Sequence, residues 1–142
     1  MEINKEEPIS RYISQIHRKG GSVITKELSQ YGVGVGQLMF LIELYREDGI
    51  HQEVLCEKLH IDKGTTARAV KKLEEEQFIV RVKDNQDKRA YKIYLTDKSR
   101  VLKESIFCVL EEWNKTISNE LTEEEKLFLI NILRRICTTI GG

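Results

Sequence analysis

A chain of 142 residues with 40% hydrophobic content is long enough for one domain with a real core and too short for several. Its 23 basic and 23 acidic side chains cancel, which argues against a general polyanion binder and makes the placement of charge more informative than the sum. Lysine and arginine gather between Lys58 and Lys92, whereas acidic residues gather toward the ends, in Glu2, Glu6 and Glu7, in Glu111 and Glu112, and in Glu120 and Glu123 to Glu125. The N-terminus lacks the basic, apolar and small-residue order of a secretory signal, and no apolar run approaches the ~18 residues of a membrane span. The expected location is cytoplasmic, with no membrane partner. Cys56, Cys108 and Cys137 are odd in number and scattered in spacing, as reduced, buried thiols would be.

Pro8 stands where a helix can begin, and Ile9, Tyr12, Ile13, Ile16, Val23 and Leu28 recur at helical spacing after it. Gly20 and Gly21 interrupt this long first helix at a cost of roughly 1 kcal/mol each relative to alanine. A kink, a break into two helices, or close packing against a partner helix would each account for the pair. The alternating glycines of Tyr31 to Gly36 predict a loop. A second helix follows, with Leu38, Leu41, Ile42 and Tyr45 inward and Gly49 as a left-handed cap. Gln52 to His60 is a short amphipathic piece with Val54, Leu55 and Leu59 inward.

Asp62 has the short carboxylate of an N-cap, and good helix formers continue to Glu76. Thr66, Val70, Leu73 and Gln77 make one mostly apolar line, while Lys63, Arg68, Lys71 and Lys72 occupy the opposite face. Two short helices joined by a tight turn, the second one basic, form a helix-turn-helix. The period then changes to two: Phe78, Val80 and Val82 alternate with Ile79, Arg81 and Lys83, and Tyr91, Ile93 and Leu95 alternate with Lys92 and Tyr94. Asp84-Asn85-Gln86-Asp87 supplies turn formers between the two strands, and Lys88 and Arg89 follow, so the hairpin tip projects two cations. A basic helix followed by a basic hairpin is the layout of a winged helix.

Thr96 caps a further helix, whose stripe is Leu102, Ile106, Val109, Leu110, Trp113 and Ile117. Thr122-Glu123-Glu124-Glu125 matches a capping box and opens the last helix. Leu127, Phe128, Leu129, Ile130, Ile132, Leu133, Ile136 and Ile140 make that helix apolar around much of its circumference. It must be buried on more than one side, and the same helix of a second subunit is the expected cover.

No catalytic set stands at motif spacing: there is no Gly-rich phosphate loop and no G-x-S-x-G elbow, so a binding protein rather than an enzyme is expected, without a cofactor. His51, Cys56 and His60 are near one another in sequence. A five-residue step nevertheless turns about 140° around a helix, and no carboxylate cluster completes a site, so no metal is expected. Trp113, Tyr12, Tyr45 and Phe107 have the spacing of core aromatics first and of cavity walls second.

From Leu59 to Ser99 the run LHIDKGTTARAVKKLEEEQFIVRVKDNQDKRAYKIYLTDKS resembles the MarR (multiple antibiotic resistance regulator) transcription factors. The resemblance rests on the Lys-x-Thr-x-x-Arg helix start, the Leu-Glu-Glu end, the Asp-x-x-Asp-Lys-Arg hairpin and the closing Leu-Thr. The flanking helices extend it over nearly the whole chain. Gln77 and Ser99 stand where the family usually has glycine, and the Gly20-Gly21 pair is unusual. The implied fold is mostly α with a small β hairpin, a winged helix-turn-helix with long N- and C-terminal dimerisation helices. One domain spans 1–142, with about 36–96 as its DNA-binding core and about 8–31 and 97–140 as its dimerisation helices.

The resemblance implies a homodimer on double-stranded operator DNA, with the Asp62 helix in the major groove and the wing along the minor groove. Arg68 suits bidentate reading of a guanine edge, and Thr65 and Thr66 suit phosphate or base-edge contact, though Thr66 also falls on the core line. Lys63, Lys71, Lys72 and Lys88 suit phosphates, and Arg89 matches the family's minor-groove arginine. Asp87 is expected to orient Arg89 or stiffen the wing. The family also binds small aromatic anions, which His17 and Arg18 would face. Repression relieved by such a ligand is the function expected; the alternative is a winged helix whose basic face meets an acidic protein.

Overall fold

The computed structural model describes residues 6–141, so Glu2 of the acidic N-terminal group lies outside the described residues. Pro8 precedes helix α1 (Ile9–Leu28) with a backbone φ of −75°, where its missing N–H would have had no helical partner anyway. The helix runs through Gly20 and Gly21 unbroken. The two glycines differ in cause. A Cβ on Gly20 would lie 2.8 Å from the indole of Trp113 on α5 (Asp97–Ser118), whereas one on Gly21 would meet open space. Close packing therefore accounts for the first glycine alone.

A single 3-10 turn, Ser29–Tyr31, leads to Gly32 at φ +73°, and α2 (Val35–Arg46) begins earlier than expected, taking in Val35 and Gly36. Gly49 does adopt a left-handed φ of +72°, but it is no helix cap. The helix has already ended at Arg46 with Glu47 extended, and Gly49 instead turns the chain into β1 (Ile50–His51), over the ring of Tyr94. This strand is absent from the sequence reading, because two residues cannot display a period.

Helices α3 (Gln52–Leu59) and α4 (Lys63–Glu75) are joined by a turn in which His60 is left-handed at φ 52°. His60 N–H donates to the Glu57 carbonyl and Ile61 N–H to that of Cys56, the paired bonds that close a helix end. The same device ends α4: Gln77 N–H donates to Glu74 and Phe78 N–H to Leu73, with Gln77 at φ 64°. Gln77 is thus exposed at the helix end and leaves the apolar line predicted for it.

Strands β2 (Ile79–Lys83) and β3 (Tyr91–Leu95) complete an antiparallel sheet in the order β1-β3-β2. Their register, with Ile79 opposite Leu95 and Arg81 opposite Ile93, puts Ile79, Ile93 and Leu95 in the core. Val80 and Val82 remain 47% and 48% exposed on the other side. The core gathers Phe40, Leu41, Leu44, Leu55, Leu73 and Phe78 around this sheet, with Leu28 and Ile106 entering from α1 and α5. Each such side chain contributes roughly 1.5–3 kcal/mol on burial.

Two polar contacts, one partly and one fully buried, join this core to its surroundings. Tyr45 donates to the Ser99 carbonyl at 2.6 Å, and Ser99, itself wholly buried, donates its hydroxyl to the Phe78 carbonyl at 2.5 Å. The hydroxyl at the position where the family often has glycine thereby finds its own partner in a carbonyl next to β2 that also accepts from Thr96 N–H at 3.1 Å.

The last helix, α6 (Glu123–Thr139), has the capping box foreseen for it, Thr122 and Glu125 bonding reciprocally. None of its residues is buried, and Leu127, Phe128, Leu129, Ile130 and Leu133 are 39–68% exposed. Within one chain its apolar surface has no cover. Cys108 on α5 and Cys137 on α6 are exposed and Cys56 is half-buried, which corrects the expectation of three buried thiols.

Candidate nucleic-acid interface

At the start of α4, Asp62 accepts from the Thr65 backbone N–H at 2.8 Å and from its hydroxyl at 2.7 Å. The Thr65 hydroxyl in turn accepts from Arg68 Nη2 at 3.1 Å. One residue per helical turn is thus tied into a chain, N-cap carboxylate to hydroxyl to guanidinium, on the exposed face of the helix. The Thr65 hydroxyl and then its N–H hold the Asp62 carboxyl below the usual carboxylate range. Gly64 leaves room for this arrangement, since a Cβ there would lie 3.3 Å from Asp62 Oδ1 and 3.5 Å from Arg68 Nη1.

Thr66 does not belong to this surface. It is 0% exposed and its hydroxyl is buried without a protein partner, so of its two sequence readings the core position is the one it occupies, and contact with DNA is not. Lys63, Lys71 and Lys72 are exposed, and Lys63 Nζ pairs with Glu53 on α3 at 3.4 Å.

Lys88 and Arg89 are exposed at the hairpin tip. Asp87 accepts from the backbone N–H of Arg89 at 3.0 Å, and its carbonyl accepts from Ala90 N–H at 3.0 Å; it holds the backbone at Arg89, not the guanidinium. Asp84 performs the matching role at the other end of the turn, accepting from Gln86 N–H at 2.9 Å and donating its own N–H to Ala90 at 3.0 Å. At the wing base Arg81 stacks over the Tyr91 ring, 4.1 Å from its centroid. A bond between His51 and Asp84 at 2.7 Å joins the wing to the helix-turn-helix. No local pattern announces it, because its partners are 33 residues apart.

His17 and Arg18 are exposed on α1, and neither lines the cleft of about 630 Å³ between α1 and α5. That cleft is walled by Tyr31, Trp113 and Cys108, and its charged residues are Glu27, Glu104 and Glu112, so an anion would meet repulsion there. Of the four aromatics considered as cavity walls, Trp113 alone borders it. Among the described residues no group of three or more His, Cys, Asp or Glu is placed to hold a metal ion, and no helix is long and apolar enough to cross a membrane.

The sequence model of the MarR family matches residues 35–91, the span from α2 to the start of β3. The HTH-type transcriptional regulator YybA of Bacillus subtilis is 32% identical over 128 residues, which cover 90% of this chain and 85% of that protein. A MarR transcriptional regulator from Methanosarcina mazei superposes with a TM-score of 0.86 at 38% identity, covering 92% of this chain and 94% of its own. A MarR family regulator from Listeria monocytogenes complexed with a 26mer DNA superposes with a TM-score of 0.88 at 28% identity, over 94% of this chain and 89% of that one.

Proposed function

Since the chain belongs to the MarR family of DNA-binding transcriptional regulators, we propose that it is a homodimeric repressor that reads an operator through α4 and the wing and is released by a small ligand. The observation that carries the reading is the joint exposure of two arginines on ordered supports, Arg68 tethered through Thr65 to the α4 cap and Arg89 on a turn closed by Asp87. An oriented guanidinium at a helix face suits a guanine edge in the major groove, and one on a thin hairpin suits a narrow minor groove. Lys71, Lys72 and Lys88 meet phosphates, and Lys63 does so when it exchanges Glu53 for DNA.

Dimerisation is supported by apolar surface that one chain leaves open. Alongside α6, the α1 residues Ile9, Ile13 and Ile16 are 69%, 44% and 50% exposed and lie at i, i+4 and i+7. Most of a helix's stability in a protein comes from packing of its apolar face, and a two-fold mate covering α6 and this stripe would supply that packing. Two-fold symmetry then calls for half-sites about one turn, ~10 bp, or a multiple apart.

Release requires a ligand that binds the DNA-competent and DNA-incompetent spacings of the two α4 helices with different affinity. A small aromatic anion meeting His17 and Arg18 is the effector proposed. Salicylate-like compounds at millimolar concentration should shift thermal stability and weaken DNA binding; absence of both effects removes the anion. The primary test titrates the purified protein against the duplex upstream of its own gene and a scrambled duplex, at two salt concentrations. A preference of ~10³ or more for the upstream duplex, at dimer stoichiometry, is the expected result. Equal, weak and steeply salt-dependent binding would leave only a basic surface, suited to an acidic protein.

A further inference from the structure

His51 is the last residue of β1 and the N-cap of α3, a position where a side chain ordinarily satisfies the first turn of the helix that follows. Here the side chain makes no capping bond. It turns instead across the sheet, in which β3 lies between β1 and β2 and His51 is registered opposite Lys92. Past that strand, Nε2 reaches Asp84 Oδ2 at 2.7 Å, on the first residue after β2.

The same carboxylate folds the wing turn through its other oxygen, which accepts the Gln86 N–H. One residue therefore both shapes the wing and fastens it to the helix-turn-helix. The two side chains are 37% and 17% exposed, more protected than the solvated surface pairs that contribute little, and a bond to a carboxylate at this length is of the stronger kind. Beyond the short β1–β3 pairing, which ends at His51 and Lys92, the wing continues as the β2–β3 ribbon alone, and two-stranded ribbons are the sheets with the widest range of twist.

We infer that His51 is a positioning residue for the wing: by holding Asp84 it sets the angle at which Arg89 reaches DNA while α4 occupies the adjacent groove. The inference rests on the DNA-reading role proposed above. His51 itself touches no nucleic acid in this scheme, and its effect passes through Arg89. A wing released from the tie and docked about a tenth to a fifth of the time would weaken operator binding about five- to tenfold, since apparent affinity scales with the competent fraction.

The test compares wild type, His51→Ala, His51→Gln and each histidine variant combined with Arg89→Ala in titrations on the preferred duplex. His51→Ala should lose the five- to tenfold; His51→Gln, whose amide nitrogen has the reach of Nε2, should recover most of it. In the Arg89→Ala background His51→Ala should cost nothing further, because the contact it positions is already gone. Equal losses for Ala and Gln, or losses that add to that of Arg89→Ala, would overturn the inference. Amide exchange of the free protein judges the tie without DNA: His51→Ala should speed exchange at Asp84 and Gln86 and leave α4 unchanged. Unchanged exchange at the wing would refute the tie, whereas a wild type indifferent to duplex sequence would refute the DNA reading instead.

Discussion

A guanidinium delivers specificity only when its direction is held, and at Arg68 the holder is Thr65, itself held by Asp62. Arg68→Ala should cost about 1–3 kcal/mol on the operator and relax the preferred base at one position, while Lys72→Ala should weaken all duplexes alike and lower the salt slope by about 1. Parallel titrations on specific and random DNA check both, and equal losses for Arg68→Ala on the two would remove its base-reading role. The carboxylates carry a pH dependence. Asp62 and Asp84 are held below the ordinary value, Asp62 chiefly by the Thr65 hydroxyl and Asp84 chiefly by the Gln86 N–H. Their stabilisation is full above the unfolded value of about 3.9 and disappears as pH falls through the lower folded value. Asn caps a helix about as well as Asp, so Asp62→Asn should match wild type at neutral pH in thermal melts and show a shallower acid limb. At Gln77 a side chain occupies a left-handed conformation, at φ 64°. Such a backbone costs roughly 1–2 kcal/mol for a residue with a Cβ, and Gln77→Gly should raise stability in denaturant titrations by about 1 kcal/mol.

At the scale of elements, the interest lies in junctions. The Gly20-Gly21 pair predicts opposite outcomes for the same substitution. Gly21→Ala removes a helix-interior glycine with nothing in the way and should stabilise by up to about 1 kcal/mol. Gly20→Ala places a Cβ 2.8 Å from the Trp113 ring, and overpacking of about 1–3 kcal/mol should outweigh the same gain. Urea titrations of the two variants decide it, and an equal stabilisation would show that α1 and α5 are looser than the packing implies. Helices α1 to α6 were legible in the sequence because each is written in residues within four of one another: Thr122 and Glu125 bond as a capping box should, and Asp62 caps where it stands. The misplacements are junctional. Gly49 has the backbone its type foretells but serves a strand entry rather than a helix end, and Gln77 leaves its apolar line because the helix ends at Glu75, two residues before it.

For the whole molecule, the decisive feature is apolar surface without an internal partner. Phe128 is 68% exposed and Leu133 39% exposed on α6; in the proposed dimer both would meet the partner. Phe128→Asp with Leu133→Asp should yield monomer in sedimentation velocity, with far-UV helicity reduced by the melting of α6, and should abolish operator binding at concentrations where wild type saturates. A double variant that stayed dimeric would move the interface elsewhere. The class of fold, the basic helix and hairpin, and a face that one chain cannot cover were all readable from the residues, because period, capping and composition are local properties. That Thr66 is core, that Gly20 makes room for Trp113, and that His51, Gln37 and Tyr45 bond to Asp84, Glu76 and Ser99, at separations of 33, 39 and 54 residues, emerges from the folded chain alone. Those pairs depend on how finished elements stack, and a stacking geometry is set by the packing of the entire core rather than by any stretch of chain that contributes to it.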